Sequence, residues 1–348
     1  MPNTVSLKDI SEKTPLFNRE EEHNEKIPIL DVQGLKKYYP VKKPFGQIRG
    51  EKRSVKAVDN VSFRLYEGET YGLVGESGCG KSTIGRTLLR LIEPTAGKAI
   101  YKNKDLFELT GENLREVRQE LQMVFQDPYS SLNPRKRIGQ TLEEPLTIHS
   151  IGTKKERTEI VMEILNKVGM QTDHYYRFPH ELSGGQRQRI GLARSLVVNP
   201  KIIIADEPVS ALDVSIQSQV INLLQELQED LQLTYLFIAH DISIVRYISD
   251  RIGVMYLGNL VEEAPADSLL ATPLHPYTQA LLSAVPLPNP LVKKERIILK
   301  GEIPSPLSPP PGCVFHTRCP SAMNVCKMEA PEKKEMSSNH FVSCHLYR

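Results

Sequence analysis

The chain contains 348 residues, 25% of them charged and 40% hydrophobic, with 44 Lys and Arg against 42 Asp and Glu. That length has room for a full core and more than one unit, and the composition is that of a soluble protein rather than a fibrous or disordered one. The formal net charge of +2 gives no global electrostatic reason to expect nucleic acid, and no run of about 18 apolar residues is present to cross a membrane.

Residues 1–26 are polar and charged and lack the apolar stretch of a secretory signal, which predicts a flexible extension and a cytosolic location. Leu16 and Phe17 are its one pair able to dock. Residues 29–32 begin a first strand, and 35–39 lead into a loop over 40–53 rich in Lys, Arg, Gly and Pro, an exposed insertion by composition. Residues 57–65 alternate apolar and polar as a half-buried strand does. TYGLV at 70–74 then reads as a strand, and GESGCGKST at 75–83 fits the pattern Gly, four residues, Gly-Lys-Ser/Thr, with a helix-like run over 84–92. Strand, loop and helix in that order make a phosphate-binding loop. Its glycines let successive N–H groups turn inward, and the helix N-terminus completes an anion cradle. Lys81 can reach the β- and γ-phosphates, and Ser82 offers a hydroxyl to Mg2+. Cys79 reads as a small filler.

From 105 to about 179 the texture becomes helical. Residues 114–120 form one segment and 155–168 another, with Ile160, Val161, Ile164, Leu165 and Val168 on one face. Between them MVFQDP at 123–128 is a strand ending in a polar turn. Residues 110–181 thus read as a mainly helical insertion within a nucleotide-binding core. KIIIA at 201–205 is the fully apolar run of a central parallel strand. Residues 217–231 are an amphipathic helix with Val220, Leu223, Leu224, Leu227 and Leu231 inward, and 234–239 another buried strand. Alternating strands and helices predict an α/β fold.

The strand at 201–205 runs into Asp206 and Glu207. Open α/β sheets bind ligands at the carboxyl edge, where these acids would lie. Asp206 can hold Mg2+ through its water shell, and Glu207 can act as base or orienter for an attacking water. LSGGQ at 182–186 precedes a helix over 187–198, and a specified pentapeptide arises by chance in roughly one chain in ten thousand of this length. At this spacing it resembles the signature of ATP-binding cassette (ABC) ATPases. The other family marks follow in order. Gln126 matches the Q-loop glutamine, SALD at 210–213 the D-loop with Asp213, and His240 the switch histidine. Tyr39 sits where the family places an aromatic under adenine, with Tyr38 its close competitor.

The resemblance covers about 27–265 and implies a P-loop NTPase of the ABC type, working as a head-to-tail dimer. Gly75, Ser77, Gly78, Cys79, Gly80, Lys81, Ser82 and Thr83 would hold this chain's own ATP. Ser183, Gly184, Gly185 and Gln186 would cap the ATP of a partner. Ser82, Gln126 and Asp206 would serve Mg2+. Glu207, His240, Gln126 and Lys81 would carry hydrolysis, and Asp213 would link the two sites.

Past 250 come what look like closing core strands, then HPYTQALL at 275–282, GEIPSP at 301–306 and PGCVFHTRCP at 311–320. This tail, residues 266–348, resembles the C-terminal region of oligopeptide and dipeptide ABC-importer ATPases, and the Cys-Gly-Lys-Ser loop looks like the second, F-type, ATPase of the pair. Cys313, Cys319, Cys326 and Cys344 have five, six and seventeen residues between them. In a cytosolic chain such a set points to metal rather than disulfides. Four thiolates suit Zn2+ or an iron–sulfur cluster equally by count. The missing Cys-x-x-Cys pairs and the family resemblance favour a 4Fe–4S cluster, clipping down a tail made extended by a proline-rich stretch, 286–311.

The implied function is to energise peptide import from the cytoplasmic face of the cell membrane. The implied partners are a second ATPase in a heterodimer, two transmembrane permeases touched by 128–135, and an extracytoplasmic substrate-binding protein. Other cargo, such as nickel, glutathione or sugar oligomers, is the nearer alternative. A nucleic-acid-acting ABC ATPase fits less well, since only one cassette and no heptad run are present.

Overall fold

The computed structural model describes residues 27–41, 53–127, 132–210, 212–285 and 295–347. Residues 1–26, with Leu16 and Phe17, most of the 40–53 loop, 128–131, Ala211 and 286–294 lie outside the described residues.

In chain order, β1 (Leu30–Pro40) pairs antiparallel with β2 (Ser54–Leu65), and β3 (Thr70–Val74) feeds α1 (Lys81–Leu88). Next come β4 (Ala96–Tyr101), β5 (Lys104–Asp105), α2 (Gly111–Glu120) and β6 (Leu121–Val124). A helical stretch follows, with α3 (Ile138–Ile148), α4 (Lys154–Lys167) and α5 (Gly184–Leu196). The core resumes with β7 (Ile202–Asp206), α6 (Val214–Leu231), β8 (Thr234–Ile238), α7 (Ile242–Ile248), β9 (Arg251–Tyr256) and β10 (Asn259–Pro265). The chain ends with α8 (Ala266–Ala271), α9 (Pro276–Ser283), β11 (Lys333–Ser337) and β12 (His340–Ser343).

Two sheets result. One has the order β2-β1-β4-β5, the other β11-β12-β10-β9-β3-β8-β7-β6. Within the larger sheet β9, β3, β8, β7 and β6 run parallel, and β10, β12 and β11 extend it antiparallel. Every residue of β3, β7 and β8 is buried, as parallel strands covered on both faces require. Their period of two splits the side chains between two cores. Ile203, Ala205, Tyr235 and Phe237 join the helical side, whereas Ile202, Ile204, Leu236 and Ile238 pack towards α1 and the smaller sheet.

The expected face of the second helix is present. In α4, Val161, Ile164 and Leu165 are buried, and Thr153 caps the helix reciprocally with Glu156. Several elements, α3, β4 and β11 among them, were not foreseen. Pro145 inside α3 reads as a breaker, yet the helix runs through it. β4 carries an exposed first half, and every residue of β11 is exposed.

The last strands dock through two buried acids of β10. Glu262, 1% exposed, accepts from the amides of Leu274 (2.7 Å) and His275 (3.0 Å) and from His340 Nε2 of β12 (2.8 Å). Glu263 pairs with Arg251 (2.5 Å) and with Lys333 of β11 (2.6 Å). Each carboxylate is buried with charged or amide donors, the condition under which such burial is tolerated.

Candidate functional site

Parallel register decides where the chemistry gathers. Val124 lies beside Ala205, Asp206 beside Ile238, and Ile238 beside Leu73. β3, β6, β7 and β8 therefore finish at one edge, and Gly75, Gln126, Glu207 and His240 leave the sheet there together.

At the phosphate loop, Gly80 holds φ 107°, and a Cβ on it would stand 2.0 Å from the Ala57 carbonyl oxygen. Only glycine fits that close approach. Lys81 is 4% exposed, and its ammonium donates to the carbonyls of Gly75 (2.8 Å) and Glu76 (3.1 Å). Ser82 Oγ donates to Asp206 Oδ1 (2.6 Å). The other carboxylate oxygen, Asp206 Oδ2, is buried without a hydrogen-bond partner, and the Arg86 guanidinium stops 3.8 Å away. Burial pushes the Asp206 carboxyl up, against the pull of Ser82 and Arg86. A hydroxyl beside an orphaned buried carboxylate oxygen is a hard-oxygen set that a hydrated Mg2+ completes, so the residues fit that ion.

Glu207 has φ 48°, left-handed for a non-glycine, and its amide donates to Ile238 O (2.9 Å) while its carbonyl accepts from Ser210 Oγ (3.1 Å). A residue held there by its neighbours is a mark of functional sites. Gln126 Nε2 donates to Glu207 Oε2 (2.7 Å), and His240 Nδ1 lies 3.8 Å from the same oxygen.

The signature lies apart from this group. Ser183 caps α5, its Oγ accepting from Gln186 N (3.3 Å) and its amide donating to Gln186 Oε1 (2.9 Å). Among the described residues no hydrogen bond or ion pair joins Ser183, Gly184, Gly185 or Gln186 to the loop at 75–83. A Cβ on Gly185 would sit 2.8 Å from Ile216 Cγ2, so this glycine sets the approach of α5 to α6. Asp213 is exposed at the start of α6, beside Val214, which is 79% exposed. Tyr39 lies half-buried under the Lys37 ammonium, 4.8 Å from its ring centroid. Tyr38 gives its hydroxyl to Asp59. A cleft of about 250 Å³ opens at Phe125, the residue before Gln126, walled by Val124, Phe125, Pro145, Ile148 and Gln188.

The expectation of a 4Fe–4S cluster, or of zinc, on Cys313, Cys319, Cys326 and Cys344 is corrected. Among the described residues no group of three or more His, Cys, Asp or Glu side chains is placed to hold a metal ion. Burial pushes the Cys313 thiol up to about 11 and raises those of Cys319 and Cys344, which favours neutral thiols. Spacing in the sequence could not reveal this. The tail is held instead by Phe315, fully buried among Tyr256, Tyr277 and His275, and by the acids of β10.

Two residues of the site were missed. Arg86 faces Asp206, and Arg318 binds the loop residue Glu76. An acid inside an anion cradle is the signal that calls for a nearby cation.

Residues 58–210 match the family described as ABC transporter, and 261–326 that described as oligopeptide/dipeptide transporter, C-terminal region. The oligopeptide transport ATP-binding protein AppF of Bacillus subtilis (strain 168) is 58% identical over 92% of this chain and 97% of its own. The dipeptide transport ATP-binding protein DppF of Haemophilus influenzae is 48% identical over 93% of this chain and 98% of its own. Among solved structures, the dimeric post-hydrolysis state of the ATP-binding cassette MJ0796, bound to ADP and Pi, aligns with a TM-score of 0.60 at 29% identity. It covers 68% of this chain and 98% of that one.

Proposed function

The chain belongs to the ATP-binding proteins of oligopeptide/dipeptide ABC transporters, and we propose that it hydrolyses ATP to energise import of oligopeptides or dipeptides across a membrane. The observation that carries this reading is the near-full-length match to peptide-transport ATP-binding proteins of a chain whose Lys81, Ser82, Asp206 and Glu207 share one sheet edge.

On binding ATP, Lys81 leaves the Gly75 and Glu76 carbonyls and pairs with the β- and γ-phosphates. The amides of Gly75, Ser77, Gly78, Cys79, Gly80 and Thr83 line the loop, and Tyr39 faces the adenine. Ser82, Asp206 and Gln126 hold Mg2+, which when bound neutralises phosphate charge. Glu207 accepts the proton of the water whose oxygen bonds to the γ-phosphorus as the bond to ADP breaks, and His240 steadies the γ-phosphate. Ser183, Gly184, Gly185 and Gln186 would meet the ATP of a second cassette, with Ser183 exposed, Gly184 and Gln186 half-buried and Gly185 buried against α6, and Asp213 would link the two sites. Closure with ATP and opening after hydrolysis form the two-state element.

The units are a nucleotide-binding domain over 27–265 with a helical insertion at 110–181, an N-terminal extension over 1–26, and a C-terminal region over 266–348. No helix among the described residues is long and apolar enough to cross a membrane. Permeases would therefore supply the passage, with the chain peripheral on the cytoplasmic face. The cleft at Phe125 suits a permease loop, because Phe125 is followed by Gln126, whose side chain holds Glu207 through a 2.7 Å hydrogen bond. A second ATPase completes a heterodimer, and an extracytoplasmic binding protein delivers cargo.

The test is ATPase activity of the complex reconstituted in vesicles with its permeases and binding protein. Oligopeptides or dipeptides should stimulate phosphate release and be accumulated. Stimulation by nickel, glutathione or a sugar oligomer, with none by peptides, overturns the cargo class.

A further inference from the structure

Glu76 places a carboxylate in the middle of the loop that is to hold a triphosphate. Nearly all its polar groups are engaged, and two of its partners come from far along the chain. Its carbonyl accepts from Lys81 Nζ (3.1 Å) and from the Cys79 amide (3.2 Å). Its amide donates to the Tyr277 hydroxyl on α9 (2.9 Å). Its carboxylate receives both terminal nitrogens of Arg318, Nη1 on Oε2 at 2.8 Å and Nη2 on Oε1 at 3.2 Å.

The support behind these contacts is rigid. Tyr277 is fully buried and the Arg318 side chain is 9% exposed. Phe315 holds both in place. It is fully buried, packs on the rings of Tyr256 and Tyr277, and accepts the Arg318 amide on its carbonyl (3.0 Å). Arg318 also lies over the Tyr256 ring, 5.9 Å from its centroid. A bidentate guanidinium–carboxylate pair fixes geometry as well as charge.

We propose that Arg318 is a positioning residue for the nucleotide: by cancelling the charge of Glu76, and with Tyr277 fixing its backbone, it lets the C-terminal region set the affinity of the phosphate loop for ATP. Without Arg318 an unpaired carboxylate faces the incoming phosphates, and charges a few ångströms apart near a protein surface repel strongly enough to weaken binding about tenfold or more. This deepens the nucleotide-binding reading of 75–83 and rests on it.

The experiment uses the full chain and a fluorescent ATP analogue with Mg2+, titrated at low and high salt. Steady-state hydrolysis is measured in the assembled transporter. Arg318→Gln should raise Kd and the KM for ATP about tenfold with kcat nearly unchanged, and the loss should shrink at high salt. Glu76→Gln leaves the Arg318 guanidinium unpaired beside the phosphates and should bind ATP more tightly than the unaltered chain, and the double variant Glu76→Gln/Arg318→Gln should return to within about threefold of the unaltered chain. A double variant as weak as Arg318→Gln alone, or an unchanged Kd in Arg318→Gln, overturns the proposal. Should Arg318→Gln not fold, Arg318→Lys carries the test, since it keeps the charge and loses the fork. It should bind more weakly than the unaltered chain by a margin that Glu76→Gln relieves, and a tenfold loss left unrelieved overturns the idea. Failure of the unaltered chain to bind the analogue would strike the nucleotide-binding reading itself, a result separate from any ranking of variants.

Discussion

Gln126 Nε2 and Glu207 Oε2 stand 2.7 Å apart, a hydrogen bond between the ends of two neighbouring parallel strands, β6 and β7. The contact makes the carboxylate answerable to the segment that leaves β6. Whatever moves that segment changes what Glu207 can do.

Replacing Glu207 with Gln keeps an acceptor for Gln126 and removes the carboxylate proposed to take the proton of the attacking water. ATP should still bind within a few-fold, a closed dimer should accumulate, and hydrolysis should fall about 100-fold or more. Phosphate release and size-exclusion chromatography in ATP read both effects. Hydrolysis at the unaltered rate removes Glu207 from this role.

Asp206→Asn preserves an oxygen for the Ser82 hydroxyl but deletes the charge beside the orphaned Oδ2. With Asp206 acting on Mg2+ through water as proposed, its loss should raise the Mg2+ half-saturation of hydrolysis about 10- to 100-fold. Binding of ATP without Mg2+ should hardly change. A Mg2+ titration that superimposes on that of the unaltered chain sinks the assignment.

Gly185→Ala drives a methyl to within 2.8 Å of Ile216 Cγ2 and pushes α5 from α6. The phosphate loop at 75–83 is not touched by this change. Equilibrium binding of ATP to the separate chain should therefore survive, while hydrolysis by the assembled pair drops. Equal losses in both assays would place the signature in the chain's own nucleotide site.

His275 titrates with consequences for the C-terminal region. Burial pushes its imidazole down to about 4, and its Nδ1 accepts from the Tyr277 amide (3.1 Å), a bond that protonation of that nitrogen destroys. Glu262, whose carboxylate accepts the His275 amide, pulls the other way. The folded value lies below the unfolded one near 6.5, so the unfolded chain binds the extra proton. The stability contribution is whole above pH 6.5 and disappears as pH falls through about 4, of order 3 kcal/mol in all. Thermal melting of the unaltered chain should fall across that window, and His275→Asn, which keeps an N-cap acceptor, should flatten the slope. A slope that the substitution leaves intact belongs to other groups.

Much of this fold could be read because its central strands are runs of buried aliphatic residues between turn signals. Ile202, Ile203, Ile204 and Ala205 announced β7, and the loop glycines announced the phosphate cradle. The edge strands were hidden for the opposite reason. Lys333, Lys334 and Glu335 are all polar and exposed, so no apolar periodicity marks β11. α3 was obscured by Pro145, whose local preference is overridden by buried Ile138, Leu142 and Leu146. Asp206 and Glu207 were legible as acids at a strand end, but their partners Arg86 and Gln126 meet them only through the register of parallel strands. Arg318 and Glu76 are 242 residues apart, and only tertiary structure brings them together. The four cysteines show the converse, since their suggestive spacing is matched by no group of side chains placed to hold a metal ion among the described residues.

The polar strand β11 has one more consequence. β10 presents a nearly continuous buried run, and β12 and β11 cap it so that the outermost strand of the sheet is lysine-rich and exposed. A chain that ended before 333 would leave β10 with open backbone donors and acceptors beside apolar side chains, a template for self-association. Residues 333–347 thus act as a guard on solubility, apart from any role in transport.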